Sequence, residues 1–215
     1  MGLLKMKKVF LAGFFLALPL VANAGEPSSR VSMDPELLHK IKTADSTKGE
    51  ELSATCGGCH AQGGAFPSLD GQLATYLYKQ LQDYKDGHRS NPVMAGLAGT
   101  LSDQDMINIS AYYAKKPLTK SNAPASATKP VLAVEGDGRR ILPPCAACHD
   151  SRGTGQKLDI PALAGQSEAY LLQALRDYKS GARHNDLYGR MRSIAKEMTE
   201  AEISEVAKYY AGLKP

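Results

Sequence analysis

The chain has 215 residues, of which 43% are apolar and 22% are charged. That length allows one large domain or two small ones, and the composition excludes a disordered or collagen-like chain. The formal net charge of +4 falls to +1 when three lysines at the amino terminus are set aside. The charge therefore predicts no nucleic-acid partner.

The amino terminus has the pattern of an export signal. Three lysines within the first eight residues precede an apolar run over 9–21, and Ala22-Asn23-Ala24 follows as a small-x-small cleavage site. We therefore predict a signal peptide over 1–24, cleaved after Ala24, and a periplasmic protein. An uncleaved anchor is the alternative, although the apolar run is short for a bilayer span. Peripheral membrane association is left open.

The rest of the chain is a duplicated unit. Three blocks of the first half recur in the same order in the second half: 56–60 with 145–149, 66–89 with 160–183, and 101–114 with 198–211. The middle pair is identical at 12 of 24 positions. The spacing between blocks grows in the second half, which places the insertions in connecting loops.

This duplication predicts two domains. Domain 1 covers 45–116 and domain 2 covers 131–215, and a linker over 117–130 is rich in Pro, Ser, Ala and Lys. Residues 25–44 form an amino-terminal extension without a counterpart in the second half.

Both domains are predicted to be all-α. Apolar and aromatic residues recur at helical spacing in the middle block of each half, and no segment alternates with the period of a strand. The last helix of each domain opens with a capping box, Ser102-x-x-Asp105 in domain 1 and Thr199-x-x-Glu202 in domain 2.

Each domain contains Cys-x-x-Cys-His, the attachment sequence for c-type haem. Two thiols one helical turn apart can reach the two vinyl groups on one porphyrin edge, and the next residue presents its imidazole to the iron. We predict two covalent haems with these attachment and iron-binding residues: Cys56, Cys59 and His60 in domain 1, and Cys145, Cys148 and His149 in domain 2.

Other uses of paired cysteines fit this pattern less well. A zinc ribbon has its two Cys-x-x-Cys pairs much closer in sequence, and a thioredoxin-like site needs a βαβ setting. Two disulfides within the motifs would close only tiny loops and add little stability.

The second axial ligand decides between ligand chemistry and electron transfer, because an open iron position admits oxygen or other ligands. Met94 aligns with Met191 in the repeat. We interpret both segments as polar loops before the last helix, where packing does not require a thioether. The repeat therefore favours Met94 and Met191 as axial ligands.

The other candidate ligands do not recur. Met106 and Met198 align with apolar residues and are expected in the core. His88 and His184 each align with a non-histidine residue and are expected at the surface, although a single bis-histidine haem stays open. All four cysteines are used by the attachment motifs.

Two arginines, Arg89 and Arg183, recur near the ends of matching helices. Two interpretations are open for them. Each guanidinium pairs with a haem propionate, or each is a solvated charge at a helix end.

From about residue 45 onward, the chain resembles the dihaem cytochromes of the cytochrome c4 family, which have two class I cytochrome c domains in tandem. The resemblance rests on both Cys-x-x-Cys-His motifs, on FPSLDGQ and IPALAGQ, and on the two methionine segments. It implies that each domain wraps around one covalent haem c, that the two haems lie near the domain interface, and that the axial pairs are His60 with Met94 and His149 with Met191.

The resemblance also implies how these ligands are supported. The carbonyls of Pro67 and Pro161 would orient the imidazoles by accepting their other N–H. Tyrosine pairs of the last helices would pack against a helix containing Gly49 in domain 1 or Gly138 in domain 2; these are Tyr112, Tyr113, Tyr209 and Tyr210.

The two domains differ beside their motifs. Pro67 follows His60 by 7 residues, whereas Pro161 follows His149 by 12. Pro143-Pro144 also interrupts the helix before the second motif. We therefore expect the two haem sites to differ in exposure and in reduction potential.

We expect an electron carrier without catalytic residues rather than an enzyme. It would pass single electrons between respiratory redox partners, from a quinol–cytochrome c reductase or a dehydrogenase to a terminal oxidase. One alternative is the cytochrome subunit of a flavocytochrome-type dehydrogenase. Another is a dihaem peroxidase or thiosulfate dehydrogenase, which would need an open or unusual iron ligand.

Overall fold

The computed structural model describes residues 27–60, 66–118, 124, 126, 128–156 and 158–214. This described part contains ten α-helices and no β-strand, only two isolated bridges, so the all-α prediction is confirmed. Within the same residues, no helix has the length and apolar character needed to cross a membrane. The predicted signal peptide lies outside the described residues.

The helices repeat in order along the chain. The extension contains α1 (Pro35–Lys42), and domain 1 contains α2 (Ser46–Leu52), α3 (Ala74–Lys85), α4 (Pro92–Thr100) and α5 (Asp103–Lys115). Domain 2 contains α6 (Val131–Val134), α7 (Cys145–His149), α8 (Glu168–Ser180), α9 (Arg190–Glu197) and α10 (Glu200–Gly212). Helices α3 to α5 match α8 to α10, as the duplication predicts.

The last helix of each domain forms the centre of its core. Both predicted capping boxes are present, which satisfies the first N–H groups of α5 and α10. In domain 1, α5 buries Met106 and Ile107, and in domain 2, α10 buries Ile203 beside Met198 from the preceding turn. The prediction that Met106 and Met198 are core residues is confirmed.

The segment before the attachment motif differs between the domains. In domain 1, α2 lies against α5 so closely that a Cβ on Gly49 would be 2.1 Å from the carbonyl oxygen of Asn108. In domain 2, the prediction that the last helix packs against a helix containing Gly138 is wrong, because nothing lies within 4 Å of a Cβ placed on Gly138. Gly138 belongs to a single 3₁₀ turn, and the short helix α6 packs against the domain 2 core instead. Pro143-Pro144 explains this, since it prevents a longer helix from leading into α7.

The amino-terminal extension is folded against both domains. Leu37 of α1 packs in the domain 1 core with Tyr78. The Oγ of Ser29 donates to Oδ1 of Asp83 at 2.6 Å, and Nη2 of Arg192 in α9 donates to Oγ of Ser28 at 2.9 Å. Nothing in the sequence pattern predicted that the extension contacts domain 2.

Candidate functional site

Each attachment motif lies on a short helical segment. The first motif begins in a 3₁₀ turn, Cys56–Gly58, and the second forms α7. All four thiols are free. Burial raises the pKa of the Cys56 thiol, and it raises that of Cys145 to about 11. Both of these thiols are therefore neutral at physiological pH.

The two motif histidines are oriented in the same way. Nδ1–H of His60 donates to the carbonyl oxygen of Pro67 at 2.8 Å, and Nδ1–H of His149 donates to that of Pro161 at 2.9 Å. This hydrogen bond leaves Nε2 as the ring nitrogen with a free lone pair, which is the atom that binds a metal. Burial lowers the pKa of His149 and keeps it neutral. His149 is buried, whereas His60 is half-buried.

The prediction that Met94 and Met191 lie in loops is wrong. They lie in the first turns of α4 and α9. The missed signal in domain 1 is Asn91-Pro92. Oδ1 of Asn91 accepts from the Met94 N–H at 3.0 Å and caps α4, and Pro92 favours the first helical position. Domain 2 offers no such signal, because Gly189 precedes α9 without a side-chain cap.

A cavity of about 1250 Å³ brings the predicted residues of both domains together. Its walls include all four cysteines, both motif histidines, Met94 and Met191. A pocket for one small-molecule ligand usually measures about 300–1,000 Å³, so this cavity has room for more than one group. Thiols for covalent attachment, neutral imidazoles and thioethers are the donor set of c-type haem. The residues therefore fit two haems.

Arg89 and Arg183 lie between the domains. Arg183 is buried, Arg89 is half-buried, and both line the cavity. Nη2 of Arg183 donates to the Tyr76 hydroxyl at 2.9 Å, and Nη2 of Arg89 donates to the Tyr170 hydroxyl at 3.4 Å. The interpretation as solvated helix-end charges is wrong, because each guanidinium reaches a tyrosine of the other domain.

These two cations lack an acidic partner in the described part of the chain. No ion pair of 4 Å or less joins either arginine to a carboxylate there. Burial alone would raise the pKa of Tyr170, but the charges of Arg89 and Arg183 lower it to about 7. Cations withdrawn from water in this way require compensation, and two haem propionates at this place would supply it.

The other histidines lie away from the cavity. His184 is exposed, as expected, but His88 is 7% exposed, so its placement at the surface is wrong. Neither residue lines the cavity. Two further cavity residues, Gln72 and Gln166, were not identified from the sequence. The signal in the sequence was that glutamine occupies this position in both halves of the repeat.

Two covalent attachment motifs on duplicated helical domains, each with a histidine and a methionine at a shared cavity, define a dihaem c-type cytochrome. Comparisons with known proteins agree. The family model "Cytochrome c" matches residues 137–214, and "Cytochrome C oxidase, cbb3-type, subunit III" matches residues 44–112.

Three similar proteins cover most of the chain. Cytochrome c4 of Pseudomonas aeruginosa is 36% identical over 79% of this chain and 89% of its own length. The thiosulfate dehydrogenase electron acceptor of Stutzerimonas stutzeri is 39% identical over 74% of this chain and 78% of its own. The structure of reduced recombinant cytochrome c4 from Pseudomonas stutzeri matches with a TM-score of 0.72 and 32% identity, covering 80% of this chain and all of that one.

The chain belongs to the cytochrome c4 family. It has two tandem class I cytochrome c domains and carries two covalent haem c groups. It is a c-type cytochrome of electron transfer, and redox proteins are its partners.

Proposed function

We propose that the protein is a periplasmic one-electron carrier of respiratory chains. The observation that supports this most is that one histidine and one methionine of each domain line the same cavity: His60 with Met94, and His149 with Met191. An iron bound by two protein side chains has no open position for substrate. The proposal includes the signal peptide over 1–24, domains over 45–116 and 131–215, and the linker over 117–130.

The chain's residues would do three things in this function. The Pro67 and Pro161 carbonyls hold the imidazoles by their Nδ1–H groups, which would leave Nε2 of each to bind an iron. The apolar walls of the cavity exclude water, and Arg89 and Arg183 bind propionates. Haem c supplies the one-electron change between ferrous and ferric iron when bound, and histidine–methionine ligation favours the ferrous form more than two histidines do.

An absorption spectrum of the haem-loaded protein tests the ligation. We expect two low-spin haems with the methionine-to-ferric charge-transfer band. Met94→Ala and Met191→Ala should each remove about half of that band, because each removes one of two sulfur ligands. The matched controls are Met106→Leu and Met198→Leu, which change buried core methionines and should leave the band intact.

A high-spin component in the unmodified protein would contradict this proposal. The same holds for binding of carbon monoxide to one ferrous haem without denaturant, since it would reveal an open iron. Either result would favour a dihaem peroxidase or thiosulfate dehydrogenase instead.

Three sets of redox partners are candidates. A quinol–cytochrome c reductase and a terminal oxidase form the first. A thiosulfate dehydrogenase as electron donor forms the second, supported by the 39% identical relative from Stutzerimonas stutzeri. The third is a stable complex with a flavoprotein. Stopped-flow reduction by each donor with its substrate would rank the first two, and co-purification with a flavoprotein would identify the third.

A further inference from the structure

Two glutamines tie the domains together through backbone atoms. Oε1 of Gln166 accepts from the N–H of Ser68 at 2.9 Å, and Nε2 of Gln166 donates to the carbonyl oxygen of Ser68 at 2.7 Å. Both residues are buried. Because one amide serves a backbone donor and a backbone acceptor, its orientation is fixed.

The same arrangement occurs in the opposite direction. Oε1 of Gln72 accepts from the Ala162 N–H at 2.9 Å, and Nε2 of Gln72 donates to the Ala162 carbonyl oxygen at 3.0 Å. Gln72 matches Gln166 in the repeat, and Ser68 matches Ala162. Each domain therefore extends one glutamine to the equivalent position of the other.

Each glutamine contacts the residue that directly follows the proline supporting the axial histidine. The Ser68 N–H belongs to the same peptide group as the Pro67 carbonyl, which accepts from Nδ1–H of His60. The Ala162 N–H likewise belongs to the peptide group of Pro161, which accepts from His149. A hydrogen bond at one end of a peptide group polarises the group and strengthens the bond at its other end.

We propose that Gln72 and Gln166 are positioning residues that act across the domain interface on the axial histidine of the other domain. This inference rests on the axial roles proposed above. Each glutamine oxygen accepts from a peptide N–H and so shifts electron density through the peptide group towards the proline carbonyl oxygen. This makes the carbonyl a better acceptor and its histidine a more electron-donating ligand. A more electron-donating imidazole favours ferric iron and lowers the potential.

The proposal predicts a crossed effect on the two haems. Gln166→Leu in domain 2 should raise the reduction potential of the domain 1 haem, and Gln72→Leu should raise that of the domain 2 haem. We expect about a threefold change in each oxidation equilibrium, or about 30 mV for one electron. The haem in the mutated glutamine's own domain should move much less.

Thr75→Val is the matched control. The Thr75 hydroxyl donates to the carbonyl oxygen of Leu158 across the same interface at 2.5 Å. Leu158 does not belong to the peptide group that orients His149, so this variant removes an interface bond without touching a histidine support. It should leave both potentials unchanged.

The measurement is a redox titration of the haem-loaded full chain, followed by NMR of the hyperfine-shifted haem methyl signals of each domain. Equal shifts of both haems, a shift only in the mutated domain, or no shift in a folded variant would overturn the proposal. If the unmodified protein lacks the methionine-to-ferric band, the proposed ligation fails; if the band is present without the crossed effect, only this inference fails.

If Gln166→Leu does not load haem, Gln166→Glu tests the crossed effect instead. A carboxyl group keeps an oxygen acceptor for the Ser68 N–H but loses the Nε2 donor. The potential of the domain 1 haem should therefore stay at or below the unmodified value. A rise in this variant would show that the acceptor on the peptide group is not what matters, and would refute the proposal.

Discussion

Helix α3 of domain 1 and helix α8 of domain 2 occupy matching places in the repeat, but the interface buries a pair of charged residues only on α3. Lys79 and Asp83 of α3 are 2% and 1% exposed, and Nζ of Lys79 donates to Asp83 and to the carbonyl oxygen of Asn185 in domain 2, each at 2.5 Å. The matching residues of α8, Gln173 and Asp177, form a 2.7 Å hydrogen bond at the surface. One copy of a shared helix therefore buries these two positions at the interface, while the other copy leaves them at the surface.

This difference shows which part of the interface the duplication can explain. The reciprocal glutamine contacts follow the repeat, because each half supplies the same residue to the same place. The buried ion pair does not follow it. Burial lowers the pKa of Lys79 although Asp83 opposes that shift, so the ion pair carries a desolvation cost that only one domain bears.

The largest expected effect comes from breaking that ion pair. Lys79→Met keeps the volume of the side chain but leaves the Asp83 carboxylate buried without a cation, which should cost about 3–5 kcal/mol. Gln173→Met, at the matching exposed position, should stay within about 0.5 kcal/mol. Urea unfolding followed by circular dichroism measures both. The double variant Lys79→Met with Asp83→Asn should recover part of the loss; no recovery would mean that the charge is not the cause.

The second effect tests the difference in front of the attachment motifs. Gly49→Ala places a Cβ against the backbone of α5 and should cost about 3 kcal/mol, at the upper end for overpacking. Gly138→Ala has free space around it and should change stability by less than about 0.5 kcal/mol. Amide hydrogen exchange in α5 and α10 reports on each domain separately. Equal loss of protection in both variants would contradict the difference in packing.

The smallest effect concerns pH and the two capping boxes. Hydrogen bonds from Arg140 first, and then from the helix cap, lower the pKa of Glu202 to about 2, whereas the pKa of Asp105 in domain 1 is lowered mainly by the Ser102 hydroxyl. A carboxyl group whose pKa is lowered by folding stabilises the fold above its ordinary pKa of about 4.5 and loses that contribution as pH falls towards 2. Domain 2 should therefore lose protection over this range.

Arg140→Ala should raise the pKa of Glu202 and so weaken the dependence of α10 stability on acid pH. The pH dependence of α5 should not change. An NMR titration of the Glu202 carboxyl checks this. Arg139→Ala is the control, because Arg139 is 94% exposed and does not contact Glu202. An unchanged pKa in the Arg140 variant would show that the helix cap alone holds the Glu202 carboxylate.

The sequence predicted features that depend on neighbours along the chain. The attachment motifs, the two capping boxes and the helical repeat are all local patterns, and the fold and both haems follow from them. The helices that carry Met94 and Met191 were interpreted as loops, although Asn91-Pro92 is a helix start signal that local reasoning could have used.

Contacts between distant segments were not predictable in this way. The burial of His88, the interface position of Arg89 and Arg183 and the exposure of Gly138 depend on which faces the two domains turn towards each other. A repeat specifies that two residues are equivalent, but it does not specify what lies opposite them.

The extension has a consequence for the order of folding. Its contact from Ser28 to Arg192 joins residues 164 positions apart, and closing a loop of that length is costly before other contacts exist. Helices within each domain meet through much shorter separations and can form first. Ser28 is therefore expected to reach its contact with Arg192 last, after the two domains have met.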